Sequence, residues 1–142
     1  MFGLSVRIED HAQKVVQAAE KASLRNIPHA AAAIRKTAIE SIVSAEGPST
    51  PGTPPHTHTA KVTKSGKQRK GELQRAIVYD YDHNSQSAVI GPRESVVGPS
   101  GAAHEFGGAF RGELLPERPF MGPALRSNLS RFTSEFQGSI SE

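Results

Sequence analysis

The chain has 142 residues, 36% of them hydrophobic and 22% charged, which fits one small domain over 1–142 and leaves no material for a second core. It contains no cysteine, no tryptophan and only eight aromatic residues; a disulfide framework, a thiolate metal site and a cysteine nucleophile are excluded, and the core should be small and aliphatic. The net charge of +3 is uneven: residues 1–46 carry +1, residues 47–71 carry +5 with no acidic group, and residues 72–142 carry −3, so the basic character belongs to one segment and does not spread over the ordered elements as in a dedicated nucleic-acid binder.

From Glu9 to about Ala45 the residues are strong helix formers, and Ile27, Ala31, Ile34, Ala38, Ile42 and Ala45 recur at three or four residues, giving one apolar stripe. Pro28 lacks an amide hydrogen and crowds the preceding turn, so a kink or a break into two helices is predicted there. The next stretch, 47–71, holds four prolines, four glycines and five threonines. It has too little apolar surface to offset its ordering entropy and reads as a long extended, mobile loop. Leu73 to Asp82 then has the β-branched and aromatic enrichment of a strand, His83-Asn84-Ser85 is turn chemistry, and Ser87 to Ile90 can return as an antiparallel partner. Ala102 to Phe106 and, more weakly, Phe110 to Leu115 complete a small antiparallel sheet of three to four strands. A final helix opens at Pro119 or Phe120, with Met121, Leu125, Leu129, Phe132 and Phe136 forming a stripe that seeks a sheet to cover; Phe120, Leu125, Leu129 and Phe132 are its core anchors. The fold class is α+β. No run reaches the ~18–20 apolar residues of a membrane span, and the first nine residues lack a secretory pattern, so a soluble, intracellularly made protein is expected.

Chemistry-bearing motifs are sparse. His56, His58, His104 and Glu105 could supply metal ligands, but their spacing is not that of two histidines one helical turn apart, and exposed loop histidines explain them better. Asp80 and Asp82 share one strand face, an arrangement a hydrolase could use but a solvated strand edge just before a turn explains better. No serine lies in a nucleophile elbow and no glycine cluster matches a phosphate-binding loop, so neither catalysis nor a cofactor is expected. Lys61, Lys64, Lys67, Arg69 and Lys70 could meet phosphates, yet no aromatic residue lies between Phe2 and Tyr79 to stack a base; docking on an acidic protein neighbour is the competing reading.

Several segments, taken in order, resemble the small tail-component family of long-tailed bacteriophages, the head-to-tail joining, neck or tail-completion proteins. Ser49-Thr50-Pro51-Gly52-Thr53-Pro54-Pro55-His56 is similar to that family's SxPGxPPH stretch. Gly71 to Ile77 resembles its strand start, Ile90-Gly91-Pro92 its strand end, Ala103 to Gly108 its (V/H)EFG signature and Arg118 to Leu125 its RPFLxPAL helix start. Residues 60–70 stand as an insertion, since the family passes directly from PPH through Thr-Gly to the strand. The resemblance implies a virion protein of the neck, assembled in the host cytoplasm, whose copies form a ring, commonly a hexamer. Its partners would be the head connector or stopper and the tail tube or terminator, with genomic DNA passing through the lumen and no membrane. Pro51, Pro54, Pro55, the basic run, Glu105, Phe106 and Gly107 become candidate interface residues. A tail terminator capping the tube, or a small basic nucleic-acid-binding protein, is the alternative. Glu105, on an apolar strand, should need backbone or basic donors if buried, and the basic loop should bind the acidic remainder of a neighbouring copy.

Overall fold

A computed structural model describes residues 12–57, 64–66 and 70–140. The chain is α+β, with helices at both ends of the described region and two separate two-stranded hairpins between them. Helix α1 (Ala12–Ser41), about 45 Å long at 1.5 Å per residue, passes through Pro28 as a single helix. The predicted break into two helices is absent, although an interior proline costs about 3 kcal/mol. Contacts on both sides of Pro28 offset that cost: Asn26 donates to Ser139 Oγ at 2.8 Å, and His29 lies 3.7 Å from the Glu135 carboxylate. Both partners belong to the last helix, α5 (Met121–Ile140). Farther along, Asn128 donates to Thr37 Oγ1 at 3.0 Å. Residue numbers rise along α1 as they fall along α5, so the two helices pack antiparallel. The final helix therefore lies along α1, where a sheet was expected.

After α1 the chain runs through 47–57 to a short helix α2 (Glu72–Ala76), then strand β1 (Ile77–Asp82) pairs with β2 (Ser87–Pro92). The predicted strand at Leu73 begins four residues late because Glu-Leu-Gln-Arg-Ala are good helix formers. Gln74 fixes this turn: its Oε1 accepts from Gly71 N, and its Nε2 donates to the carbonyls of Ile39 and Ile42 at the end of α1. Helices α3 (Glu94–Val97) and α4 (Ser100–Phe106) follow. The stretch 102–106, expected as a strand, is thus helical; Ala102-Ala103-His104-Glu105 follows a proline and ends at Gly107, whose φ of 67° stops the helix. A second hairpin, β3 (Gly108–Phe110) with β4 (Glu113–Leu115), turns through Arg111 and Gly112, both at positive φ (51° and 84°), as a two-residue primed turn requires. The single sheet of three to four strands is replaced by these two hairpins.

The core sits where the second half of α1, the root of the first hairpin and the start of α5 meet. Ile34, Ala38, Ile39, Ile42, Ile77, Phe120 and Ala124 are buried there, flanked by Leu73, Ile90, Met121 and Phe132. Arg35 ties the layers together by donating to the Ile77 carbonyl at 2.7 Å. No described helix is long and apolar enough to cross a membrane.

The first part of the proline-rich segment is built into the body, against the expectation of a wholly mobile loop. Ser44 and Thr57 form a parallel bridge, Thr57 N donates to Val43 O at 2.9 Å, and Gly52 N donates to Glu117 O at 2.8 Å. Backbone bonds, with the burial of Pro55, order 47–57. At the other end of the segment, a Cβ on Gly71 would fall 1.6 Å from Thr57 Oγ1, so Thr57 and Gly71 meet at one pinched point that only glycine fits. Deleting residues 60–70 is therefore expected to leave the melting temperature within about 2 °C of the parent, since surface loop length carries a small entropic cost, while weakening association between subunits. Scanning calorimetry and sedimentation test the two halves, and a large drop in melting temperature would show that the segment belongs to the fold.

Candidate assembly site

The first four N–H groups of a helix have no partner within the helix and carry the positive end of its dipole. In α5 these donors meet one side chain from another element. Glu105 Oε2 accepts from Phe120 N at 2.8 Å and Met121 N at 2.9 Å, and its Oε1 accepts from Gly122 N at 2.8 Å. The donors expected for Glu105 are thus backbone amides of its own chain, and the residue lies on a helix, not on a strand. Gly107 makes this approach possible: the chain turns back so tightly that a Cβ there would lie 3.0 Å from Leu115 O and Glu117 N. Phe106, beside it, points outward and is 73% exposed.

The same corner holds the proline-rich stretch. Arg118 N donates to His104 O at 2.6 Å, and Arg118 Nε donates to Ser49 O at 3.1 Å. Together with the bond from Gly52 to Glu117, these link the Ser49–His56 stretch, the His104–Gly108 turn and the Arg118–Leu125 helix start into one junction. Pro55 is fully buried in it, Pro54 half-buried and Pro51 exposed; Pro55 is a packing residue, so the proposed interface role is left to Pro51 and the exposed edge of Pro54. Lys64 and Lys70 are exposed, whereas Lys61, Lys67 and Arg69 lie outside the described residues.

Among the described residues His104 Nδ1, buried in this junction, has no hydrogen-bond partner. Burial, and then the Arg118 guanidinium, hold its pKa below the ordinary value of 6.5. Above pH 6.5 the ring is neutral in folded and unfolded chains alike. Below it the unfolded chain takes up a proton that the folded chain resists, so stability falls as pH drops. His104→Asn is expected to flatten that slope relative to the parent in denaturant titrations on either side of pH 6.5; identical slopes would place His104 in water.

Of the other chemistry-bearing residues, His56 lines the same cavity as His104, whereas the two acidic residues of the first hairpin do not. His56 Nδ1 lies 3.2 Å from Gly47 O, His58 is outside the described residues, and no three described His, Asp or Glu side chains converge as a metal site. Asp80 stands exposed on the outer strand face. Asp82 accepts from Asn84 N and Ser85 Oγ, and the Ser85 hydroxyl, followed by the Asn84 amide, holds its carboxyl below the usual range. Those bonds close the β1–β2 turn, a structural task. Among the core anchors, Phe120 is buried and Phe132 packs against the core, but Leu125 and Leu129 are 44% and 49% exposed. The buried face of α5 is set by Phe120, Ala124 and Asn128, one position away, because the close approach to α1 needs a small residue at 124. Leu125 and Leu129 thus form an outward apolar pair one helical turn apart.

Sequence reasoning missed Gln74, Arg35 and Arg118 as positioning residues; Gln74, within Gly71 to Ile77, and Arg118, preceding Pro119 and Phe120, lay in motifs that could have flagged them, while Arg35 did not. No protein-family model matches this chain, and no curated protein and no solved structure matches it either.

Proposed function

We propose that this chain is a structural virion subunit whose copies form a ring joining the head connector to the tail of a long-tailed phage. The observation that carries the reading is spatial. Three stretches that give the sequence resemblance, separated by up to seventy residues, are held together by Glu105 on the α5 amides and by Arg118 on the Ser49 and His104 backbones. Motifs that meet in this way act as one unit, which supports treating them as a single signature. The surface supports the same reading. Phe106, Leu114, Val89, Leu125 and Leu129 are large apolar side chains left facing water and available for contact with neighbours. A ring needs head-to-tail contacts that close by rotation, with six copies as the number the resemblance implies. Connector or stopper protein would lie on one side, tail tube or terminator on the other, and DNA in the lumen. The role is scaffolding, without a catalytic step or cofactor.

Native mass spectrometry and electron microscopy of the purified chain test this: closed rings are expected without DNA. In assembled particles a labelled subunit should sit at the neck; a label at the distal end of an incomplete tail would favour the terminator reading. A chain that stays monomeric and binds duplex DNA with steep salt dependence would overturn both in favour of a nucleic-acid binder.

A further inference from the structure

Resting on the ring reading above, we infer that subunits engage head to tail by inserting the tip of the β1–β2 hairpin of one copy into a basic cleft of the next. The cleft, about 1050 Å³, opens beside the hairpin root between α2, α3 and the β3–β4 hairpin. Its cations are Lys70, Arg75 and Arg111, and Leu73, Val96 and Phe110 supply apolar wall; Glu72 is the one carboxylate among the described lining residues. None of the three cations makes an ion pair with a described residue. Arg111 is held at φ 51°, with its guanidinium carbon 5.2 Å from the centroid of the Phe110 ring, a backbone position uncommon for a residue with a side chain. The constraint keeps a cation at the cleft edge.

The hairpin tip has the matching chemistry. Asp80 pairs across the strands with Val89, so both side chains stand on one face, and that face is opposite the one on which Ile90 packs against the core. Val89 is 76% exposed, Asp80 and Asp82 are exposed, and no basic residue other than His83 lies between Ile77 and Pro92. An acidic and apolar ridge therefore faces an apolar and basic cleft. Within one subunit, at about 3.3 Å per residue, the strand carries Asp80 about 10 Å and Asp82 about 17 Å from the root at Ile77, beyond Arg75 on the preceding helix, and neither carboxylate pairs with a described lysine or arginine of its own chain. The two surfaces lie at different places on the subunit, so their contact is heterologous, as ring closure requires. Phosphate is the other ligand the cations could take, but half of the wall is apolar and the hairpin offers both chemistries at once.

Charge reversal tests this on the full chain, with unchanged melting temperature as the check on folding. Asp80 is substituted because Asp82 holds the turn. Asp80→Lys, or Arg75→Glu with Arg111→Glu, is expected to raise the subunit dissociation constant about a hundredfold, with Asp80→Asn giving a smaller effect should the lysine variant fail to fold. An equimolar mixture of the two reversed chains should assemble again, each tip meeting a cleft of opposite charge. Carbodiimide should couple Lys70 to Asp80 between parent chains. Parent rings with variants that assemble normally, or folded variants whose mixture stays dissociated, overturn the inference and leave the ring reading intact. Cleft variants that lose only affinity for duplex DNA overturn it as well. A parent chain that never assembles removes the ring reading and this contact together.

Discussion

Phe120→Ala is expected to destabilise the domain by about 3–5 kcal/mol, the usual consequence of emptying a buried phenylalanine site. Phe120 is completely buried in the cluster it forms with Ile34, Ala38, Ile39, Ile42, Ile77 and Ala124, where α1, the first hairpin and α5 meet. Total stabilities of 5–15 kcal/mol leave little after such a loss. At roughly 4 °C per kcal/mol for a domain of this size, the melting temperature should fall by about 12–20 °C. The defect should appear in the isolated chain, before any assembly step. Leu129→Ala, on the outward face of the same helix, should change the melting temperature by no more than about 2 °C, as surface substitutions do, and act on association. Equal thermal effects of the two variants would mean that the faces of α5 have been assigned the wrong way round.

Glu105→Ala should cost about 2–3 kcal/mol. It leaves three amides at the start of α5 without an acceptor and removes a negative charge from the positive end of the helix. Glu105→Gln keeps one carbonyl oxygen, enough for the two bonds now made by Oε2, but presents an NH2 group to the remaining donor, so it should recover only part of the loss. Chemical denaturation of the three proteins gives the order parent, Gln, Ala. If both variants assemble and melt as the parent does, Glu105 is ordinary surface.

The need of Glu105 for donors was legible because a carboxylate between apolar neighbours has few alternatives. Its setting was not. The local marks of a helix at 102–106, two alanines behind Pro99 and a stop at Gly107, are short, and nothing local says that the amides waiting for the carboxylate lie fifteen residues on. The apolar period of 121–136 identified a helix and misassigned its inner face, since spacing records where large side chains recur and not where a neighbouring helix demands a small one. The proline-rich stretch misled for another reason: hydropathy measures side-chain burial, and 47–57 is held largely by the carbonyls of Val43, just past α1, and of Glu117. By contrast, the hairpin at 77–92 was readable from β-branched residues on either side of an Asp-His-Asn-Ser turn, because that signal is local.

The contact between Thr57 and Gly71 makes the chain between them something like a cassette. With both ends fixed side by side, doubling its length would cost only about 0.6 kcal/mol of closure entropy, so the fold is nearly indifferent to what is carried there. Related chains could lengthen, shorten or replace it as their neighbours change. In practice, an epitope or fluorophore spliced in at this position should leave the buried core untouched and so report directly whether association depends on this segment.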